Sequence, residues 1–296
     1  MKAFFHLPGL FEHAAFYEAF LPLFSEHRAW FYPWAEIGSV YGAPRECLWG
    51  GGRVEYGERD PREVAALMRR YGVSARLTFS NSLLTEAHLA DPACNALCRI
   101  FSETEGVQNG AIVHSDLLLG HLKRRYPGFY FVSSTTKVLT EFGRFREELA
   151  NGDFRFVVPD FRLNRRMDRW AELTQTEKDK TEFLCNECCA FGCTARARCY
   201  AAVSRRNLGL ETDFRCPTPG AGEGYRFSLA MENPGFIGVN DIVGTYLPMG
   251  FSNFKIEGRG LGSALLLEFI LHYMTKPEHH IRAREALYLD NMLDLF

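Results

Sequence analysis

The stretch FLCNECCAFGCTARARCY, residues 183–200, holds Cys185, Cys188, Cys189, Cys193 and Cys199, and Cys216 follows downstream. Thiols at this density can ligate zinc, hold an iron–sulfur cluster, act as a redox pair, form disulfides or fill a core. The gaps let four thiolates converge on one tetrahedral site, and sulfur-rich ligation selects zinc or an iron–sulfur cluster. The pattern is not the paired C-x-x-C of a zinc ribbon. Irregular gaps, with one ligand arriving from a distance, suit a cubane better than a compact knuckle. Arg196 and Arg198 in the same run would offset the charge of four thiolates. Cys94 and Cys98, four apart on an apolar helix face, read as ordinary buried residues.

A second motif is FKIEGRGLGS, residues 254–263, where Glu257 and Arg259 alternate with glycines before a helix. Two readings stand side by side. The helix start and the Arg259 guanidinium make an anion site, or a Glu257–Arg259 pair closes the end of the fold. FRLNRRMDR, residues 161–169, reads as a solvated basic face, with Arg162 and Arg165 within reach of an anionic substrate. His279 and His280 lie in a polar stretch and read as solvent-facing.

Eight short β-branched or aromatic runs must position these residues: 3–7, 37–42, 76–81, 111–116, 129–134, 154–160, 182–187 and 253–259. Helical patterns lie between them, at Glu12–His27, Pro61–Tyr71, Ala87–Ser102, Leu117–Arg125, Thr140–Ala150 and Arg165–Leu173, with Leu261–Met274 after the last. Near-continuous apolar strands alternating with amphipathic helices imply parallel pairing with both faces covered. Eight such units predict an α/β fold, a (β/α)8 TIM-like barrel, with an open doubly wound sheet as the alternative. Residues 1–296 read as a single barrel domain, with a cysteine-rich insertion between strands seven and eight at about 186–235. That insertion also holds the Gly/Pro-rich CPTPGAGEG (216–224) and an expected extra strand, YRFSLAM (225–231). Polar residues gather at the predicted strand ends: Cys47, Asn81, Ser82, His114, Ser115, Ser133, Ser134, Asp160, Asn186, Glu187, Glu257 and Arg259. In a barrel they face one mouth, where active sites of this architecture lie.

Composition fits an ordinary globular protein, 47% hydrophobic and 14% aromatic, with a net charge of −2 that offers no general attraction for nucleic acid or an anionic membrane. No leader peptide or bilayer-spanning run is apparent, so a cytoplasmic location is expected. Thiols stay reduced there, which argues against a disulfide framework.

Together the residues resemble a known family. FKIEGR, preceded by ENPGFIGVNDIVGTYLPMGF, resembles the signature region of the peptidase U32 group. The cysteine run 186–200 is similar to the motif of its shorter members, and SVYGAPREC, ending at Cys47, resembles the early cysteine loop of its ubiquinone-hydroxylation branch. The resemblance implies a TIM-like barrel with a [4Fe–4S] cluster and oxygen-independent hydroxylation chemistry, although other members were labelled collagenase-like proteases. It implies cluster ligation by Cys189, Cys193, Cys199 and Cys216, with Cys185 or Cys47 as substitutes; zinc is the alternative metal. The adjacent Cys188 and the extra Cys185 leave the choice of four open.

The function expected is therefore oxygen-independent hydroxylation, or a related redox modification, of a small aromatic or quinone-like substrate in an anaerobic setting. Arg259 would hold a carboxylate, and Glu257 or His114 would handle protons. A peptidase is the first alternative, though no G-x-S-x-G or H-E-x-x-H motif is present. A non-catalytic metal-binding subunit paired with a protein of the same family is the second. Small-molecule substrate and protein partner are thus expected, nucleic acid and membrane not.

Overall fold

The computed structural model describes residues 1–52, 57, 59–103, 106–218 and 224–289. All eight expected strands form: β1 (Ala3–Pro8), β2 (Ala35–Gly42), β3 (Ala75–Phe79), β4 (Gly110–Val113), β5 (Tyr130–Ser133), β6 (Phe154–Val157), β7 (Glu182–Leu184) and β8 (Asn253–Lys255). Every pairing is parallel, in the order β6-β5-β4-β3-β2-β1-β8-β7. A parallel bridge between Val157 and Thr181 links the two ends, so the sheet is a nearly closed (β/α)8 barrel rather than an open one. β3, β4 and β5 are buried along their whole length, as strands covered on both faces must be.

The helices are α1 (Ala14–Glu26), α2 (Pro61–Arg70), α3 (Pro92–Ser102), α4 (Asp116–Arg125), α5 (Phe142–Ala150), α6 (Met167–Ala171), α7 (Gln175–Lys180), α8 (Arg196–Asn207), α9 (Phe227–Met231), α10 (Val239–Asp241), α11 (Ser263–Met274) and α12 (His280–Arg284). Two expectations change. The helix read over Ala87–Ser102 is broken, because Pro92 has no N–H and begins a new helix, while the Asp91 side chain caps it at Cys94 N. The strand read over 225–231 is instead helix α9 after a short extended lead. β7 already pairs with β8, so the segment finds no free edge there, and Phe227 packs on Phe269 and His272 of α11. Residues 219–223 of the Gly/Pro-rich stretch lie outside the described residues. Among the described residues no helix is long and apolar enough to cross a membrane.

The barrel lumen is filled. Tyr41, Ile112, Tyr130, Val132, Val158 and Leu184, from β2, β4, β5, the end of β6 and β7, form one apolar cluster. Beside it lie four buried charged or titratable residues: His6, Arg76, Glu182 and Lys255. Arg76 on β3 and Glu182 on β7 are far apart in the sheet order, so their 2.5 Å ion pair crosses the interior. Lys255 Nζ stands 3.7 Å from Glu182 Oε1 and 3.4 Å from the Tyr41 ring centroid, and no hydrogen bond satisfies either polar atom among the described residues.

One carboxylate thus serves three basic neighbours, and Arg76 takes its hydrogen bond. Burial would raise Glu182, but Arg76, His6 and Lys255 outweigh it and hold the carboxyl at about 2. Burial, aided by Arg76, lowers His6 to about 3. Burial also lowers Lys255 to about 7, against the pull of Glu182. For all three groups the unfolded chain binds more protons than the folded one, so each makes stability rise with pH. For Lys255 that rise spans its folded value of about 7 to its ordinary 10.5. Lys255→Met should therefore abolish a gain of about 3 kcal/mol that the parent shows between pH 7 and 10. Urea denaturation of both proteins across that range is the check. Parallel curves would mean that water hydrates the amine.

Candidate metal centre

The connection from β7 to β8 builds the site. After Leu184 the chain leaves the barrel, and Asn186 fixes its exit by two bonds to the end of β8. Its Oδ1 accepts from Glu257 N at 2.7 Å and its Nδ2 donates to Glu257 O at 3.2 Å. This clamp sets Glu187, Cys188 and Cys189 beside Glu257. The ligand atoms of Glu187, Cys188 and Cys189 lie within 4.8 Å of one another, the one such group of three among the described residues. Glu257 Oε2 accepts from Cys188 N at 3.1 Å, and its Oε1 lies 3.5 Å from Cys188 Sγ. Glu187 Oε1 accepts from Cys189 N at 3.1 Å and lies 3.6 Å from Cys188 Sγ. Hydrogen bonding with Cys189 raises the Cys188 thiol above its ordinary range, and the two carboxylates add to the effect.

Two arginines brace this loop from below. Asp160, fully buried beyond β6, receives Arg162 Nε at 2.6 Å and Nη2 at 3.0 Å, and Arg196 Nη1 at 3.2 Å. Arg162 Nη1 donates to Cys193 O at 2.8 Å. Arg196, 1% exposed, pairs with Glu187 through its other terminal nitrogen, which also reaches Tyr200 OH at 3.0 Å. Among the described residues no hydrogen-bond partner reaches the buried Arg196 Nε, and Cys189 is close enough for its charge to act on this guanidinium. The rest of α8 lies across the barrel mouth. Ser204 O accepts from Asn81 Nδ2 at 3.2 Å, Ser204 Oγ accepts from Ser82 N at 3.1 Å, and Asn207 Nδ2 donates to Gly50 O at 2.6 Å.

The residues named from the sequence divide accordingly. Cys189 joins the group of three, and Cys193 and Cys199 are half-buried on the same connection. Cys216 is exposed farther along it. The substitutes stand apart from the group. Cys185 is fully buried with its thiol 3.6 Å from Phe183 O, and burial pushes that thiol up. Cys47 is buried 3.6 Å from Cys94. Glu257 faces Cys188. His114 lies at the end of β4, four places from β8 in the sheet order, with Nδ1 2.8 Å from Thr136 Oγ1; burial and then Lys137 lower it.

Arg259 meets a different partner from either expected. Its Nε donates to Glu12 Oε1 at 2.8 Å and its Nη2 reaches Ala43 O at 3.2 Å. The carboxylate it holds is the chain's own, on the fully buried side chain of Glu12. The pairing of Glu257 with Arg259 gives way to Glu257–Cys188 and Glu12–Arg259. Sequence reasoning missed Glu12, since 247 positions separate it from Arg259. It also passed over Cys188 in favour of its neighbour. The lumen charges left a visible signal: Arg76, Glu182 and Lys255 interrupt otherwise apolar strands.

No protein-family model matches the chain, and no curated protein matches it significantly. A solved structure of the U32 peptidase Mk0906 aligns with a TM-score of 0.52 at 14% identity, covering 87% of this chain and 93% of that one. The two proteins are therefore similar in fold, and the barrel shared with a U32 peptidase agrees with the resemblance carried by the cysteine run and KIEGR.

Proposed function

We propose that this chain is an iron–sulfur protein of the U32 type that carries out oxygen-independent hydroxylation, or a related redox modification, of a small aromatic or quinone-like substrate. The observation behind this reading is the placement of the clustered thiols. Cys188, Cys189, Cys193 and Cys199 leave the core together on the β7–β8 connection, where Arg162 donates to Cys193 O and Arg196 pairs with Glu187. The donor types suit a [4Fe–4S] cluster: Cys189, Cys193, Cys199 and Cys216 all lie outside the hydrophobic core, Cys189 belongs to the close donor group, and Arg196 Nε, without a hydrogen-bond partner among the described residues, offers a donor beside it. When bound, such a cluster supplies one-electron transfer at a potential tuned by nearby charge and hydrogen bonds.

The chain's own groups have separate tasks. Arg196 and Arg162 offset thiolate charge. Glu187 and Glu257 flank Cys188 and can hold or pass a proton at the mouth. The lumen is filled by side chains, so a substrate binds above it, under or beside α8. The likeness to a protein called a peptidase supports enzymatic activity more generally.

Cys193→Ala tests the assignment. Prepared without oxygen, the variant should lose the visible absorption and the acid-labile sulfide, whereas Cys185→Ala should keep both. Full iron and sulfide in Cys193→Ala would contradict the ligand set.

A further inference from the structure

A second set of thiols stands apart from the cysteine connection. Cys47 follows β2 in a turn closed by Cys47 N donating to Pro44 O at 3.1 Å and Gly50 N donating to Cys47 O at 2.8 Å. Cys94 lies in the first turn of α3, its N–H held by Asp91 Oδ1 at 2.7 Å. Their sulfurs are 3.6 Å apart, with Cys47 5% and Cys94 0% exposed. Cys98, one turn further along α3, is also buried and near enough to feel the charge of Cys47. These thiols form no group of three mutually close donors among the described residues, whereas a structural ion needs three or four ligands. A pair needs no such set. A disulfide carries no charge, which suits a site walled by apolar residues.

We propose that Cys47 and Cys94 are a dithiol that closes to a disulfide on exposure to a peroxide, a modification site independent of the metal centre. The Cys94 and Cys47 sulfurs lie within thiol–sulfur hydrogen-bond distance of each other, and Cys94 is the more deeply buried. Cys47, the more exposed of the two, is the sulfur that attacks. Its lone pair breaks the peroxide O–O bond, giving a sulfenic acid and one water. The Cys94 sulfur then displaces the sulfenic oxygen, which leaves with the Cys94 proton as a second water. Two thiols lose two electrons in all, and one hydrogen peroxide gains them. The sulfurs must approach to about 2.0 Å, a movement that the turn at Cys47 makes toward the helix-fixed Cys94.

Peptide mapping tests this on the full chain. After equimolar hydrogen peroxide, alkylation of free thiols and trypsin, peptides 46–53 and 77–99 should appear joined, lighter by two hydrogens than their sum. Fragmentation should place the bond at Cys94. Cys94→Ser should lose the link and Cys98→Ser should retain it. The proposal fails if Cys47 remains fully alkylatable while Cys188 is oxidised. It also fails if the bond runs to Cys98 or to a cysteine of 185–199. The unsubstituted protein alone gives this answer, so a variant that does not fold leaves the test intact.

Discussion

Glu182→Ala should destabilise the protein by about 3–5 kcal/mol, since it strands Arg76 as a buried charge without its carboxylate. Arg76 and Glu182 are both 0% exposed, and they pair across the lumen rather than at a surface where water could replace the partner. Lys255 would lose the same counter-charge, and His6, neutral above about 3, would lose a polar neighbour. Above about pH 5, where Glu182 is ionised folded or unfolded, the loss should shrink as Lys255 sheds its proton at about 7. Arg76→Met combined with Glu182→Leu should recover much of the stability, because an apolar replacement of both partners removes the desolvation cost as well as the attraction. Urea denaturation by far-UV circular dichroism measures all of these. A loss below about 1 kcal/mol for Glu182→Ala, the size of a surface pair, would mean that the lumen is wet.

Arg196→Leu should have the second large effect, this time at the mouth. Glu187 is 3% exposed, and Arg196 is its ion-pair partner. Asp160 keeps Arg162, so the loss of the guanidinium falls mainly on Glu187 and the adjoining Cys188 and Cys189. The expected cost is about 3 kcal/mol, together with loss of bound metal and faster proteolysis between β7 and α8. Arg196→Lys should rescue only part of this, because one ammonium cannot reach Asp160, Glu187 and Tyr200 with the geometry of a guanidinium fork. Wild-type metal content in Arg196→Leu would show that the arginine only braces α8.

The barrel was legible because every strand is a short apolar run between helical periods. The overestimates lay at the strand ends. The sequence pattern carries β6 to Asp160, β7 to Glu187 and β8 to Arg259, yet the ladders stop at Val157, Leu184 and Lys255. Beyond these points the backbone turns its polar residues to the mouth and loses its neighbour. Helix α8 was not read at all. Its buried stripe, Arg196, Tyr200, Val203 and Ser204, includes an arginine and a serine that a hydrophobic pattern does not count. Of the site, the clustered cysteines, Asp160 and Glu257 were visible as types and positions. Their partners were not, since Arg196–Asp160, Glu12–Arg259 and Arg76–Glu182 are long-range contacts with no local sequence signal.

On the function proposed above, the β7–β8 cysteines hold an iron–sulfur cluster. Anaerobic purification followed by iron, zinc and acid-labile sulfide assays and a visible spectrum on one sample tests it most directly. Ligation of a cluster should give brown protein with about four irons and four sulfides per chain. Colourless protein with about one tightly held zinc would contradict it and make the cysteines a structural clasp.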